Sequence, residues 1–133
     1  YYPPTPGGIE SHVQTLAQAQ ASLGADVHVI CINGSTETRN SLASTTTLEE
    51  MDGEVRVTRI SRALIIAHFD LCPQLLPFLH QLNYSPRTLI HLHTPNPAML
   101  LAYQLVSPRV PLVVTHHSDI IKQRFLKYAL RPF

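Results

Sequence analysis

The chain has 133 residues, of which 44% are hydrophobic and 14% charged, with a formal net charge of +1. That balance supports one globular core; it is too short for two full α/β domains and too poor in charge for an intrinsically disordered protein. No apolar run approaches the roughly 20 residues that span a bilayer, and the chain starts at Tyr1 with no leader-like stretch, so a piece of a longer cytoplasmic protein is expected.

Residues 1–8, Tyr-Tyr-Pro-Pro-Thr-Pro-Gly-Gly, read as a loop, because their prolines exclude the interior of a helix or sheet. A helix follows. Ile9, Val13, Leu16, Ala17 and Leu23 recur at helical spacing, Gln20 interrupts that face, and Gly24 closes it. Residues 27–32 read as a buried strand. Residues 33–51 are rich in Ser and Thr without apolar periodicity, which predicts a surface loop. Residues 54–60 alternate apolar and polar, which predicts a half-exposed strand near the sheet edge. Residues 63–71 carry no decisive period. Leu75, Leu76, Leu79 and Leu82 predict a helix over 73–82 with a kink at Pro77. A short strand over 88–93, a helix over 97–105 capped by Asn96, and a buried strand over 110–115 come next. A closing helix over 120–130 is capped by Ser118 or Asp119. Strand–helix alternation of this kind predicts an α/β fold with a parallel sheet and helices on both faces. A Gly-Gly loop that opens a helix ordinarily follows a strand, so one further strand is expected ahead of Tyr1.

Three polar clusters are expected at one edge of that sheet, where open α/β folds bind ligands. Gly7-Gly8 opens a helix whose unpaired N–H groups and dipole favour an anion, although, taken alone, a plain tight turn accounts for the glycines better. The loop is neither GxGxxG nor a Walker motif, which disfavours nicotinamide enzymes and P-loop NTPases. His91 and His93 point the same way on a strand, but no nearby Asp, Glu or Cys completes a metal shell, so no metal is expected. His91 reads as a core histidine bonded to a neighbouring element, and His93 leads into the proline-braced loop Thr94-Pro95-Asn96-Pro97. In His116-His117-Ser118-Asp119 the three triad residue types are contiguous and no GxSxG elbow exists, which argues against a serine hydrolase. His117 reads as a strand-end histidine offered to a ligand, and His116 as structural. Cys31 and Cys72 fit neither a disulfide framework nor a CxxC site and read as reduced structural thiols.

Charge is unevenly spread. Eight of the nine acidic residues fall within residues 1–70, whereas from Leu71 onward Asp119 stands alone against six Lys and Arg. A basic half suggests an anionic ligand or surface. Lys122, Arg124, Lys127 and Arg131 on the closing helix form either a solvated face or a contact with anionic lipid.

With these residues in view, the chain resembles the N-terminal domain of a retaining glycosyltransferase of the GT-B fold, family 4. The segments that carry the resemblance are Pro-Gly-Gly-Ile-Glu-Ser-His-Val (6–13), Leu-Gly-Ala-Asp-Val-His-Val-Ile (23–30), Ile-His-Leu-His-Thr-Pro-Asn-Pro (90–97) and Val-Val-Thr-His-His-Ser-Asp-Ile (113–120). The resemblance implies a Rossmann-like doubly wound parallel sheet, with residues 1–133 as the acceptor-side domain and the first strand and C-terminal domain lying outside them. It implies transfer of a mannose- or glucose-type sugar from a nucleotide-diphosphate sugar to a lipid-linked or polysaccharide acceptor, with retention and without cofactor or metal. Residue by residue, it places Gly7 and Gly8 in the donor diphosphate loop and His117 beside the donor sugar. It sets Glu10, Asn96, Ser118 and Lys122 on the acceptor side, with Tyr1 near the acceptor entrance. It further implies work in the cytoplasm, peripherally on the inner membrane face, no nucleic-acid partner, and no turnover by this domain alone. A non-catalytic Rossmann-like module for a phosphorylated sugar or nucleotide, and a UDP-sugar epimerase of the same fold group, stay open at this point.

Overall fold

The computed structural model describes residues 2–33, 46–66, 69–82 and 87–117. Its elements run α1 (Gly8–Ser22), β1 (His28–Ile32), β2 (Leu48–Asp52), β3 (Val55–Ile60), β4 (Leu64–Ile66), β5 (Phe69–Leu71), α2 (Leu75–Gln81), β6 (Ile90–Thr94), α3 (Pro97–Val106) and β7 (Leu112–His116). They divide into two compact units, Tyr1–Gln74 and Leu75–Phe133.

In the first unit a three-stranded sheet has the order β1-β3-β2, with β1 parallel and β2 antiparallel to β3. Its core gathers Tyr2, Ala17, Ala21, Cys31, Val55 and Val57, with Val13, Val27 and Val29 packed against it. The helical stripe of α1 therefore lies on the sheet as expected, but its last member differs. Leu23 is 88% exposed, because the helix stops at Ser22 and Leu23 is its cap; Ala21 closes the stripe instead. Gly24 takes the left-handed turn (φ 90°) and its N–H bonds the Ala21 carbonyl at 2.8 Å.

Two expectations for this unit are corrected. The segment expected to be loop through Met51 contains β2, which hairpins onto β3 through Gly53 at φ 62°. Four of its five residues are exposed, so an edge strand formed by backbone pairing left no apolar alternation to see. The strand expected near the sheet edge is instead its centre: β3 is buried at five of six positions, with Val55 and Val57 fully so. Its polar residues are covered and bonded rather than solvated. Thr58 meets His28 Nε2 at 2.8 Å, and the Arg59 guanidinium pairs with Glu50. Within the undecided residues 63–71, β4 pairs antiparallel with β5.

In the second unit β6, α3 and β7 make a βαβ unit, with β6 and β7 parallel and Thr94 opposite His116. Asn96 caps α3, its side chain accepting from the Met99 N–H at 3.2 Å, and Pro97 sits where no intrahelical N–H bond is lost. Ala98, Met99, Leu100 and Ala102 bury the inner face of α3. The kink expected at Pro77 has no helical hydrogen bond to break. Pro77 is the third residue of α2, in a first turn whose N–H groups lack helical acceptors anyway. The strand expected to be buried, β7, leaves Val113 and Val114 at 46% and 44% exposure, since among the described residues it is bonded on one side only. The closing helix expected over 120–130 lies outside the described residues. No described helix is long and apolar enough to cross a membrane.

Candidate functional site

The second unit concentrates imidazoles at the carboxyl edge of its parallel pair. The register that sets Thr94 opposite His116 places His91, His93, Thr115 and His117 on one face of the ribbon. His91 Nε2 lies 2.7 Å from Thr115 Oγ1, the bond to a neighbouring element expected there, although His91 is half-buried rather than in the core. The His91 and His93 rings are 4.3 Å apart between centroids, and His93 stacks on His117 at 5.2 Å. On the opposite face Thr94 Oγ1 meets His116 Nδ1 at 2.9 Å, so His116 serves the strand end. The His117 N–H donates to the Thr94 carbonyl at 2.9 Å, which pins His117 to the loop that carries Asn96.

The contact with chemical content is His93 Nδ1 to His117 Nε2, at 2.9 Å. One of the two nitrogens must carry the proton. Either His93 donates and His117 holds its own proton on Nδ1, or His117 donates and His93 holds its proton on Nε2. One added proton leaves the bond intact and charge-assisted. A second would set two N–H groups face to face. Asn96 is half-buried and commits Oδ1 to its cap, while its amide nitrogen carries the remaining donors.

In the first unit the loop before α1 is anchored, which its prolines alone did not predict. Tyr2 is 1% exposed and its hydroxyl donates to Asp52 Oδ2 at 2.8 Å. Arg59 lies over the Tyr2 ring, and its guanidinium donates to the carbonyls of Tyr2 and Pro3. Gln14 and Gln18 of α1 also donate to Asp52, at 2.9 and 3.1 Å. These hydrogen bonds, Gln14 first and Tyr2 next, hold the Asp52 carboxyl below its ordinary range. Burial and the neighbouring Asp52 push the Tyr2 phenol up. Gly7 and Gly8 thus leave a fixed loop and enter a fixed helix.

The two glycines are not equivalent. A Cβ on Gly7 would strike the Glu10 carboxylate, which folds back over the first turn of α1. A Cβ on Gly8 would meet nothing within 4 Å. Glu10 thus occupies the helix N-terminus where the sequence suggested a diphosphate, and the open approach is at Gly8. Cys31 and Cys72 are free and buried. Burial pushes the Cys31 thiol up, and burial together with Asp70 pushes Cys72 to about 11, so neither is a nucleophile at neutral pH.

Among the expected site residues, His117 and Asn96 stand at one strand edge of the second unit, and Gly7, Gly8 and Glu10 open α1 in the first. Ser118 and Lys122, the remaining acceptor-side residues, lie outside the described residues, as do Tyr1, Asp119, Arg124, Lys127 and Arg131. Sequence reasoning missed His93 as the partner of His117 and Arg59 as the anchor of the glycine loop. The HxH spacing held the first signal, and the covered third position of the Val55–Val57–Arg59 face held the second.

A family model for Glycosyltransferase Family 4 matches residues 6–133. The chain is also 30% identical over 132 residues to the D-rhamnosyltransferase WbpZ of Pseudomonas aeruginosa, a similarity that covers 99% of this chain and 32% of that protein. The chain spans about a third of the length of the curated relative it matches. No solved structure matches it.

Proposed function

The chain belongs to glycosyltransferase family 4, whose domain is of the Rossmann-like GT-B type, and from that premise we propose that it is the acceptor-side domain of an enzyme that transfers a mannose- or glucose-type sugar from a nucleotide-diphosphate sugar, with retention, to a lipid-linked or polysaccharide acceptor. The D-rhamnosyl specificity of the relative fits a mannose-type donor, since D-rhamnose is 6-deoxy-D-mannose. The observation that carries the proposal is the His93–His117 pair at the carboxyl edge of the βαβ unit, in a chain of this family.

The reaction separates charge: the anomeric carbon becomes positive as the nucleoside diphosphate leaves. The N–H groups and dipole of α1 suit the leaving phosphates, with Gly8 giving the close approach. A phosphate there requires the Glu10 carboxylate to swing outward, where it becomes an acceptor for a sugar hydroxyl. His117, held by His93 and by Thr94, offers one oriented nitrogen to the donor sugar. The amide nitrogen of Asn96, with Ser118 and Lys122, serves the acceptor. Lys122, Arg124, Lys127 and Arg131 supply positive charge for peripheral contact with anionic lipid at the inner membrane face. The domain alone is expected to show no turnover, because closure against a second domain completes a GT-B site.

The test is kinetic, in the whole enzyme, with GDP-mannose and UDP-glucose as first donors. His117→Ala is expected to lower kcat by about 100-fold or more while donor KM moves by less than about threefold. An unchanged kcat removes His117 from the chemistry. Donor binding without any transfer, in a protein that retains its fold, favours a non-catalytic sugar-nucleotide module.

A further inference from the structure

Arg62 has no part in the proposed transfer, yet it is the most unusual side chain of the first unit. It follows the end of β3 by two residues, at the carboxyl edge of the parallel β1–β3 pair. That edge is where open α/β sheets take ligands. Its side chain is 4% exposed, and its contact with Asp70 is made through Nη1 alone, at 3.4 Å. Nε and Nη2 are buried and meet no hydrogen-bond partner among the described residues. Its neighbours at the same edge differ. Ser61 Oγ bonds Gln74 Oε1 at 3.0 Å, and Asn33 Nδ2 bonds the Thr46 carbonyl at 3.0 Å. Buried polar groups are satisfied almost without exception in native proteins, and an orphaned cationic donor is the costliest exception.

The identity of the two orphans matters. In a guanidinium, the Nε–H and the N–H of Nη2 that lies beside it run parallel, in the plane, along one edge. The unsatisfied donors are therefore the two tines of a single fork, with Asp70 on the other side. A water molecule presents one oxygen to such a fork. Carboxylate and phosphoryl groups present two oxygens at the matching spacing. We propose that Arg62 forms an oxyanion subsite whose Nε/Nη2 fork takes two oxygens of a phosphoryl or carboxylate group on a bound small molecule. The subsite stands without the transferase reading; assigning its occupant to the sugar acceptor rests on that reading.

The experiment follows the Nε–H resonance of Arg62 in 15N-arginine-labelled protein, assigned by its loss in Arg62→Lys. Sodium phosphate and sodium acetate are titrated separately at constant ionic strength, with chloride as the control. A saturable shift with phosphate, acetate or both, absent with chloride, is expected, and the stronger of the two names the group. Arg62→Lys keeps the charge and loses the fork, so binding should weaken about tenfold. Asp70→Asn removes the competing carboxylate, so binding should tighten about threefold. If Arg62→Lys does not fold, the resonance is assigned through its side-chain correlations to the Arg62 backbone in uniformly labelled protein, and the wild-type titration decides. An Nε–H that ignores both anions, or answers them no more than chloride, overturns the subsite. A saturable shift in a whole protein that binds the nucleotide sugar but transfers nothing keeps the subsite and removes the transferase reading instead.

Discussion

At the residue scale, the pairing of His93 with His117 makes a demand that can be separated from mere packing. Asparagine places an amide where the Nδ1 of histidine sits, so His93→Asn can still bond His117 Nε2, whereas His93→Phe fills the space and bonds nothing. In steady-state assays of the whole enzyme, His93→Phe is expected to lower kcat about tenfold and His93→Asn to stay within about threefold of the parent. Equal losses in both would make the bond incidental. Asn96 has a structural task that is measurable alone: Asn96→Ala removes the cap of α3 and should cost about 1 kcal/mol in urea unfolding. The sequence made Asn96 legible as a cap and His117 legible as a strand-end imidazole. It did not make their neighbourhood legible, because the register decides it. A slip of one residue between β6 and β7 would move His117 to the face that now holds Thr94 and His116.

At the element scale, the misplacement of β3 shows what an alternating pattern conceals. The alternation was real, but Arg59 and Thr58 are covered and paired rather than wet, which only the neighbouring strands reveal. The strand β2 had a local signal after all, Asp52-Gly53 ahead of an alternating run, which the Ser/Thr-rich segment before it masked. Because Val57 is fully buried in the central strand, Val57→Ala should cost about 2 kcal/mol, from two lost methyl groups and the cavity they leave. The glycines of the unit should separate in the same unfolding measurement. Gly53→Ala forces a left-handed conformation and should cost about 1 kcal/mol. Gly8→Ala meets nothing and should leave stability within about 0.5 kcal/mol. Its effect should appear in donor binding, and a destabilised Gly8→Ala would mean that the glycine serves the fold rather than the ligand.

At the scale of the whole molecule, an α/β fold with parallel strands was legible from strand–helix alternation. Its partition was not: the described residues hold two parallel pairs, an antiparallel edge strand and a separate antiparallel pair. Pairing between segments far apart in sequence leaves little trace in either one. The titrating groups set a pH window for stability. Burial lowers the His28 pKa, so the unfolded chain binds the extra proton and stability declines as pH falls below the ordinary value of 6.5. Asp52 is lowered too, so its contribution is lost at still more acid pH, below 3.8 and through its folded value. Cys31, Cys72 and Tyr2 are raised, so stability also declines as pH climbs past their ordinary values of 9.0 and 10.0. The Tm should therefore be highest between about 6.5 and 9, and His28→Gln should flatten the first acid decline. A Tm that is constant from pH 7 to 5 in the parent protein would contradict the burial of a neutral His28.

Tyr2 is a plug in the middle of the core, with its hydroxyl tied to the turn at Asp52. Clipping the backbone anywhere between Pro3 and Pro6 would therefore reach into the core. It would free the stopper from the helix it leads into, let water reach Val55 and Val57, and leave Gly7 and Gly8 swinging on a cut end.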